Sequence, residues 1–435
     1  MSKGHQPEQG QSWSFVCHLN YGGTGSVSII KHDGKQTKTH VMKSDSGSGL
    51  ATPRKPIFLG SADNGDAILL NPESKQIKLQ HDLPCDAIPA YAYRDSANNR
   101  IWFMNDGDPE TGNDTLNCGD KGASVTVIEN DTGSGSGDIP AKVLKTICVG
   151  RGHHVTTFTS PSAKAPKTPH RAFVSNLIDG TISVIGNDAS ESSTFLKVID
   201  TINLCETGKE ENGEMRIPNN SFPHGMGYSP VTGKLYNLNN GYQTIAVINP
   251  VTNTIEDTIE LKSSSNLLLS PDGRFLIGKG VDRKSDQNHI IGKISVVDAG
   301  KMTVSRVIDL PDVYPSTYRF NADGTKLYIS TAATGKGTQK ENIKLNTVLL
   351  FDTSKLPEIR LIKEIRAGMA DCGRRPIAFL EKGGKTKLVF VPNPTDGTVS
   401  ILDGENEAVL DTVKVGDGSI ADFSFSFWGG KITGC

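Results

Sequence analysis

Apolar and polar positions alternate along this chain in short bursts, and one burst recurs. A Gly or polar residue opens it, apolar residues rich in Val and Ile follow, and Asp or Asn comes near its end. It reads GSVSIIKHD from Gly25, GDAILLNPE from Gly65, ASVTVIEND from Ala123 and GTISVIGND from Gly180. It returns as QTIAVINPV from Gln243, GKISVVDAG from Gly292, NTVLLFDTS from Asn346 and GTVSILDGE from Gly397. The eight phrases are spaced by 40, 58, 57, 63, 49, 54 and 51 residues. Upstream lies a second strand-like run, as in RAFVSN (171–176), KLYNLN (234–239) and KLYIST (326–331). Downstream lies a third, as in TIEDTIEL (254–261) and AVLDTVKV (408–415). Before these comes a run closed by a tight turn, such as NLLLSPDG ending at Gly273. There Pro fixes φ and Gly accepts a positive φ.

The period is two, not 3.6, and no amphipathic helix is visible. Four short antiparallel strands per repeat of 40–60 residues predict an all-β fold, a single β-propeller of four-stranded antiparallel blades. The propeller spans 13–430, with a polar N-terminal tail (1–12) and a C-terminal tail (431–435). Eight blades are favoured, or seven if the units around Gly25 and Gly65 merge. The Gly65 unit lacks an inner strand, since SDSGSGLATPR is a poor candidate. The segment SIADFSFSFWGG (419–430) reads as a lone inner strand, and the first unit has none of its own. Pairing the two closes the ring and covers both edges.

The stretches SPDGRFLIGKG…GKISVVDAGKMTVSRVIDL and NADGTKLYIST…NTVLLFDTSKLPEIRLIKEI resemble the YVTN-type propeller repeat, and the resemblance extends over 13–428. It implies the fold. The family spans surface-layer proteins, lactonases, haem d1 domains of nitrite reductases and copper oxidoreductases, so it implies no single activity.

Composition fits this picture. The chain has 46 glycines and only 6% aromatic residues, as hairpins and small flat blades require. Its 46 Lys+Arg against 48 Asp+Glu leave no global basic field, which excludes nucleic acid as the default partner. No apolar stretch reaches the ~20 residues of a membrane span. The opening MSKGHQPEQGQS has no apolar signal core. The chain is therefore cytoplasmic if this N-terminus is native, and periplasmic or extracellular if a leader was removed. Seven scattered cysteines without a CxxC argue against structural zinc. Buried free thiols are the expectation, with one bridge among Cys85, Cys118 and Cys148 as the alternative.

Three long polar insertions interrupt the blades, at 105–122, 129–139 and 205–221. In the first, Asp106, Asp108, Glu110, Asn113 and Asp114 are oxygen donors suited to calcium, without EF-hand spacing. In a propeller, the residues leading each inner strand face the central channel. Here these are Arg54 and Lys55, Asp86, Arg151 with His153 and His154, His224, Asn266, Tyr314 and Tyr318, Arg374 and Arg375, and Asp422. The bias toward cations predicts a concave site for a small anionic ligand, with Arg as a bidentate fork. His153, His154 and His224, with Met226, also suit copper or haem iron; hydrogen bonds from these histidines to loop carbonyls are the structural alternative. No GxSxG, P-loop or GxGxxG is present.

Three functions follow. The first is a binding or assembly module with a His/Arg-lined site for a small anion, a metal or a protein partner. The second is a metal- or tetrapyrrole-dependent oxidoreductase using the channel histidines. The third is a lactonase-like hydrolase.

Overall fold

The computed structural model describes residues 12–433, except 21–24, 33–36, 44–56, 62–65, 72–75, 83–88, 96, 106–122, 130–141, 153–154, 334–337, 372–374, 416–419 and 429–430. Side chains are described within 93–415.

The strands follow one another in meanders. β1 (Ser12–Asn20), β2 (Gly25–His32) and β3 (Thr37–Lys43) come first. β4 (Ile57–Ser61), β5 (Asp66–Asn71) and β6 (Gln76–Asp82) form a three-stranded sheet. β7 (Pro89–Asp95), β8 (Arg100–Asn105), β9 (Ser124–Glu129) and β10 (Lys142–Cys148) form a four-stranded one. So do β11 (Thr156–Thr159), β12 (Arg171–Asn176), β13 (Thr181–Gly186) and β14 (Val198–Asn203). The next sheet is β15 (Pro223–Ser229), β16 (Lys234–Asn239), β17 (Thr244–Asn249) and β18 (Thr254–Glu260). It is followed by β19 (Asn266–Leu269), β20 (Phe275–Asp282), β21 (Ile291–Asp298) and β22 (Thr303–Pro311). β23 (Pro315–Phe320), β24 (Lys326–Thr331), β25 (Thr347–Lys355) and β26 (Glu358–Arg366) come next, with the five-residue helix α1 (Thr338–Asn342) inserted between β24 and β25. The last sheet joins β27 (Ala378–Lys382), β28 (Lys385–Asn393), β29 (Thr398–Asp403) and β30 (Val409–Lys414).

The protein is an all-β propeller of antiparallel sheets. Its recurring phrase forms β2, β5, β9, β13, β17, β21, β25 and β29. Where burial is described, these strands are sunk almost throughout, which is why they are the most apolar runs. Among the described residues the sheet around Gly65 has three strands, and the stretch read as a poor inner strand (44–54) lies outside them. The C-terminal strand β31 (Ile420–Trp428) pairs with β1 from Trp13↔Trp428 through Leu19↔Asp422, completing the N-terminal sheet as its lone inner strand. Within 431–435, β32 (Lys431–Thr433) pairs with β27 as a fifth strand of the last sheet.

The chain divides into two compact units. Unit one holds residues 1–47, 283–291 and 311–435, and unit two holds 48–282 and 292–310. In unit two, Trp102, Val125 and Val127 of one sheet pack on Ala172 and Val174 of the next. Phe173 and Val184 then pack on Leu235 and Ala246, and Tyr236 and Leu238 on Leu267 and Leu276. In unit one, Tyr328 and Leu350 meet Phe379 and Val389, with Tyr328 edge-on to Phe379 at 5.2 Å.

One side-chain device repeats at the end of the second strand. Asn176 Nδ2 donates to Thr181 Oγ1 (2.9 Å) and Ser183 Oγ (3.0 Å) of the third strand. Asn105 does the same to Ser124 and Thr126, and Asn393 to Thr398 and Ser400. The period of two puts both hydroxyls on one face of the strand, within reach of one amide. Ala246 replaces the second hydroxyl in the Asn239 sheet, and there Nδ2 turns to Glu206 Oε1 at 3.0 Å.

Cys148 is disulfide-bonded, which corrects the expectation of free thiols throughout. Cys205 is free and buried. Among the described residues no helix is long and apolar enough to cross a membrane.

Candidate functional site

The links into the first strands carry most of the predicted site. Arg54, Lys55, His153, His154, Arg374, Asp106, Asp108, Glu110 and Asp114 lie outside the described residues or side chains. Arg151, His224 and Arg375 are described.

Arg151 sits in the link from β10 to β11. Its Nε donates to Asp179 Oδ1 at 2.8 Å, and Nη2 lies 2.7 Å from the same oxygen. Its backbone N–H donates to Asp179 Oδ2 (2.8 Å), so one fully buried carboxylate holds both main chain and head. Arg375 is 0% exposed. Its Nε donates to Pro392 O, Nη1 to Leu345 O, and Nη2 to Gly368 O and Asn393 Oδ1. Burial lowers its pKa to about 10, against the pull of Asp396. The fork expected to face a ligand is thus turned onto four protein acceptors. In the sheets of Asn105 and Asn176 the corresponding amide oxygens are buried without a partner.

His224 leads β15. Its Nδ1 lies 2.7 Å from Ser265 O. A carbonyl only accepts, so Nδ1 carries the proton and, in the neutral ring, Nε2 presents the lone pair. Ser265 N–H in turn donates to Lys279 O at 2.7 Å. Ser265 therefore ties the ring of His224 to the strand that carries Lys279, and Asn266 pairs with Lys279 in the ladder. Burial pulls the Lys279 ammonium down to about 8. Lys279 follows Gly278 and precedes Gly280, whose added Cβ atoms would meet Ser264 Oγ at 2.8 Å and Ser263 O at 2.0 Å. The link between β18 and β19 can press against this strand only because both residues are glycine.

Sequence reasoning did not single out Lys279, because it ends RFLIGK on the second strand, away from the first-strand leaders. Its signal is a cation where KLYNLN and RAFVSN carry uncharged residues. Met226 is packed in the core with Phe173 and Leu235, not offered as a soft ligand. Tyr318 is buried, and burial raises its phenol well above 10. Arg283 stacks on the Tyr314 ring at 5.4 Å. Among the described residues no group of three or more His, Cys, Asp or Glu side chains converges as a metal site would.

No protein-family profile matches the sequence, and no curated protein matches it. Solved structures do match. The dihydro-heme d1 dehydrogenase NirN, solved in complex with DHE, aligns with a TM-score of 0.58 at 12% identity, covering 94% of this chain and 74% of that one. PpgL, the periplasmic gluconolactonase of Pseudomonas aeruginosa, aligns at 0.55 and 16%, covering 85% and 98%. A putative 6-phosphogluconolactonase from Bacteroides uniformis aligns at 0.53 and 13%, covering 96% and 100%. At these identities the likeness is one of fold.

Proposed function

We propose that this chain is a YVTN-type propeller of eight blades that binds a small anionic ligand, a carboxylate or phosphate, beside Lys279, His224 and Asn266. Lys279 supplies the charge, and His224 and Asn266 supply hydrogen bonds. The observation that carries the reading is the Ser265 junction, which joins a histidine of fixed tautomer to the strand of a desolvated lysine. A half-buried cation binds an anion more strongly than a fully exposed one. Arg151 braces its link within the same unit, since its head holds Asp179. Arg54, Lys55, His153 and His154 are the further members this reading expects around the ligand.

A lactonase-like hydrolase is the second reading. His224 favours it, because Nε2 of the fixed tautomer is the atom that takes a proton from attacking water. The two gluconolactonase neighbours bind such substrates by name. An oxidising compartment, periplasmic or extracellular, accords with the bonded Cys148.

Calorimetry with gluconate and 6-phosphogluconate tests both. Lys279→Met is expected to weaken binding of one or both anions tenfold or more. Anion affinity unchanged in Lys279→Met overturns the site. Turnover of the corresponding lactones, lost in His224→Ala while Lys279→Met raises KM, makes the protein a hydrolase.

A further inference from the structure

The insertion between β14 and β15 ends two residues before His224, yet the anion site makes no use of its outer surface. It is pinned along its length. Asn203 Nδ2 donates to Met215 O (3.0 Å), and Asn219 Nδ2 to Gly180 O and Asn203 Oδ1 (both 2.9 Å). Glu211 and Glu214 exchange backbone hydrogen bonds, and Asn220 Nδ2 donates to Glu211 Oε1. Gly241 N–H donates to Ser221 O, and Asn240 N–H to Phe222 O.

On this fixed loop the large apolar side chains point outward. Met215 is 52% exposed, Phe222 42% and Ile217 40%. Ile178, in the turn that Asn219 bonds, is 37% exposed. Phe222 adopts φ 45°, a left-handed backbone that a bulky aromatic residue avoids. An added Cβ on Gly241 would lie 2.7 Å from the Phe222 ring and 1.9 Å from Asn220 O. One side of the ring thus rests on a glycine while the rest faces solvent. Strain kept to hold an aromatic outward serves contact, not the core.

Charge says what covers the ledge. Residues 205–222 carry Glu206, Glu210, Glu211 and Glu214 against Lys209 and Arg216; Glu206 is drawn inward to Asn239 and Thr244 and Arg216 is on Glu214 at 3.0 Å, so Glu210 and Glu211 form the acidic rim. Such a rim repels anionic lipid and attracts lysine and arginine.

We propose that the ledge of Met215, Ile217 and Phe222 docks a segment of a partner protein that carries apolar side chains flanked by basic ones. The rigid loop loses little freedom on binding, and its carboxylates orient the basic flanks. The test uses the full chain with three synthetic ten-residue peptides, alternating Leu with Lys, Leu with Glu and Leu with Ser, and vesicles of phosphatidylglycerol. The Leu/Lys peptide is expected to bind at least tenfold tighter than the other two, more weakly at higher salt, and the vesicles not at all. Phe222→Asn keeps a residue that tolerates the left-handed backbone but removes the ring. It is expected to weaken the Leu/Lys peptide at least fivefold while the melting midpoint stays or rises. Equal binding of the three peptides, preferential vesicle binding, or a Phe222→Asn protein that binds like the parent would each overturn the proposal.

Discussion

His289 and Asp312 form the clearest titrating pair at the scale of single residues. His289 Nδ1 lies 2.7 Å from Asp312 Oδ1, and this hydrogen bond, with the carboxylate charge, raises the imidazole above its ordinary value. Asp286, which accepts the Asn288 and His289 backbone N–H groups, adds to the negative field. The folded-state pKa is the higher one, so the pair's stabilisation is complete below about pH 6.5 and disappears as pH rises through the raised value. The parent is expected to exceed His289→Gln in melting midpoint at pH 5.5, with the gap closing by pH 8.5. A gap independent of pH contradicts this pairing. The same scale shows how much of Arg375 the sequence could show. Its position beside an inner strand was legible. The carbonyls that consume its donors come from Leu345, Gly368 and Pro392, and no local pattern announces them.

At the scale of elements, period-two patterning located the recurring strand of each sheet, and where burial is described these strands are sunk almost throughout, so their composition has little latitude. β32 escaped because three residues are too short to carry a period. The amide clasp makes a separate prediction. Asn393 satisfies two hydroxyls and Arg375, whereas Asn176 satisfies two hydroxyls and leaves its oxygen unpaired. Asn393→Ala removes one of the four acceptors of a buried guanidinium as well as the donor to two hydroxyls and is expected to cost about 2–4 kcal/mol, against about 1–2 kcal/mol for Asn176→Ala. Denaturant unfolding of the two variants measures the difference, and equal losses contradict it.

At the scale of the molecule, the repeat made the architecture legible while the candidate ligand site stayed only half visible. His224 and Asn266 could be read as strand leaders. Lys279 could not, because its role depends on a register that brings the second strand against Ser265. The account rests most heavily on the chain's two ends sharing one sheet, since that pairing covers the edge of β1 not taken by β2. The direct measurement is a cross-link between Val16→Cys and Phe425→Cys, which the register places opposite one another. The account predicts an intramolecular disulfide in this double variant, and none in the pair Val16→Cys with Ser426→Cys, which is one residue out of register. Equal linking in both pairs, or links only between separate molecules, would contradict it.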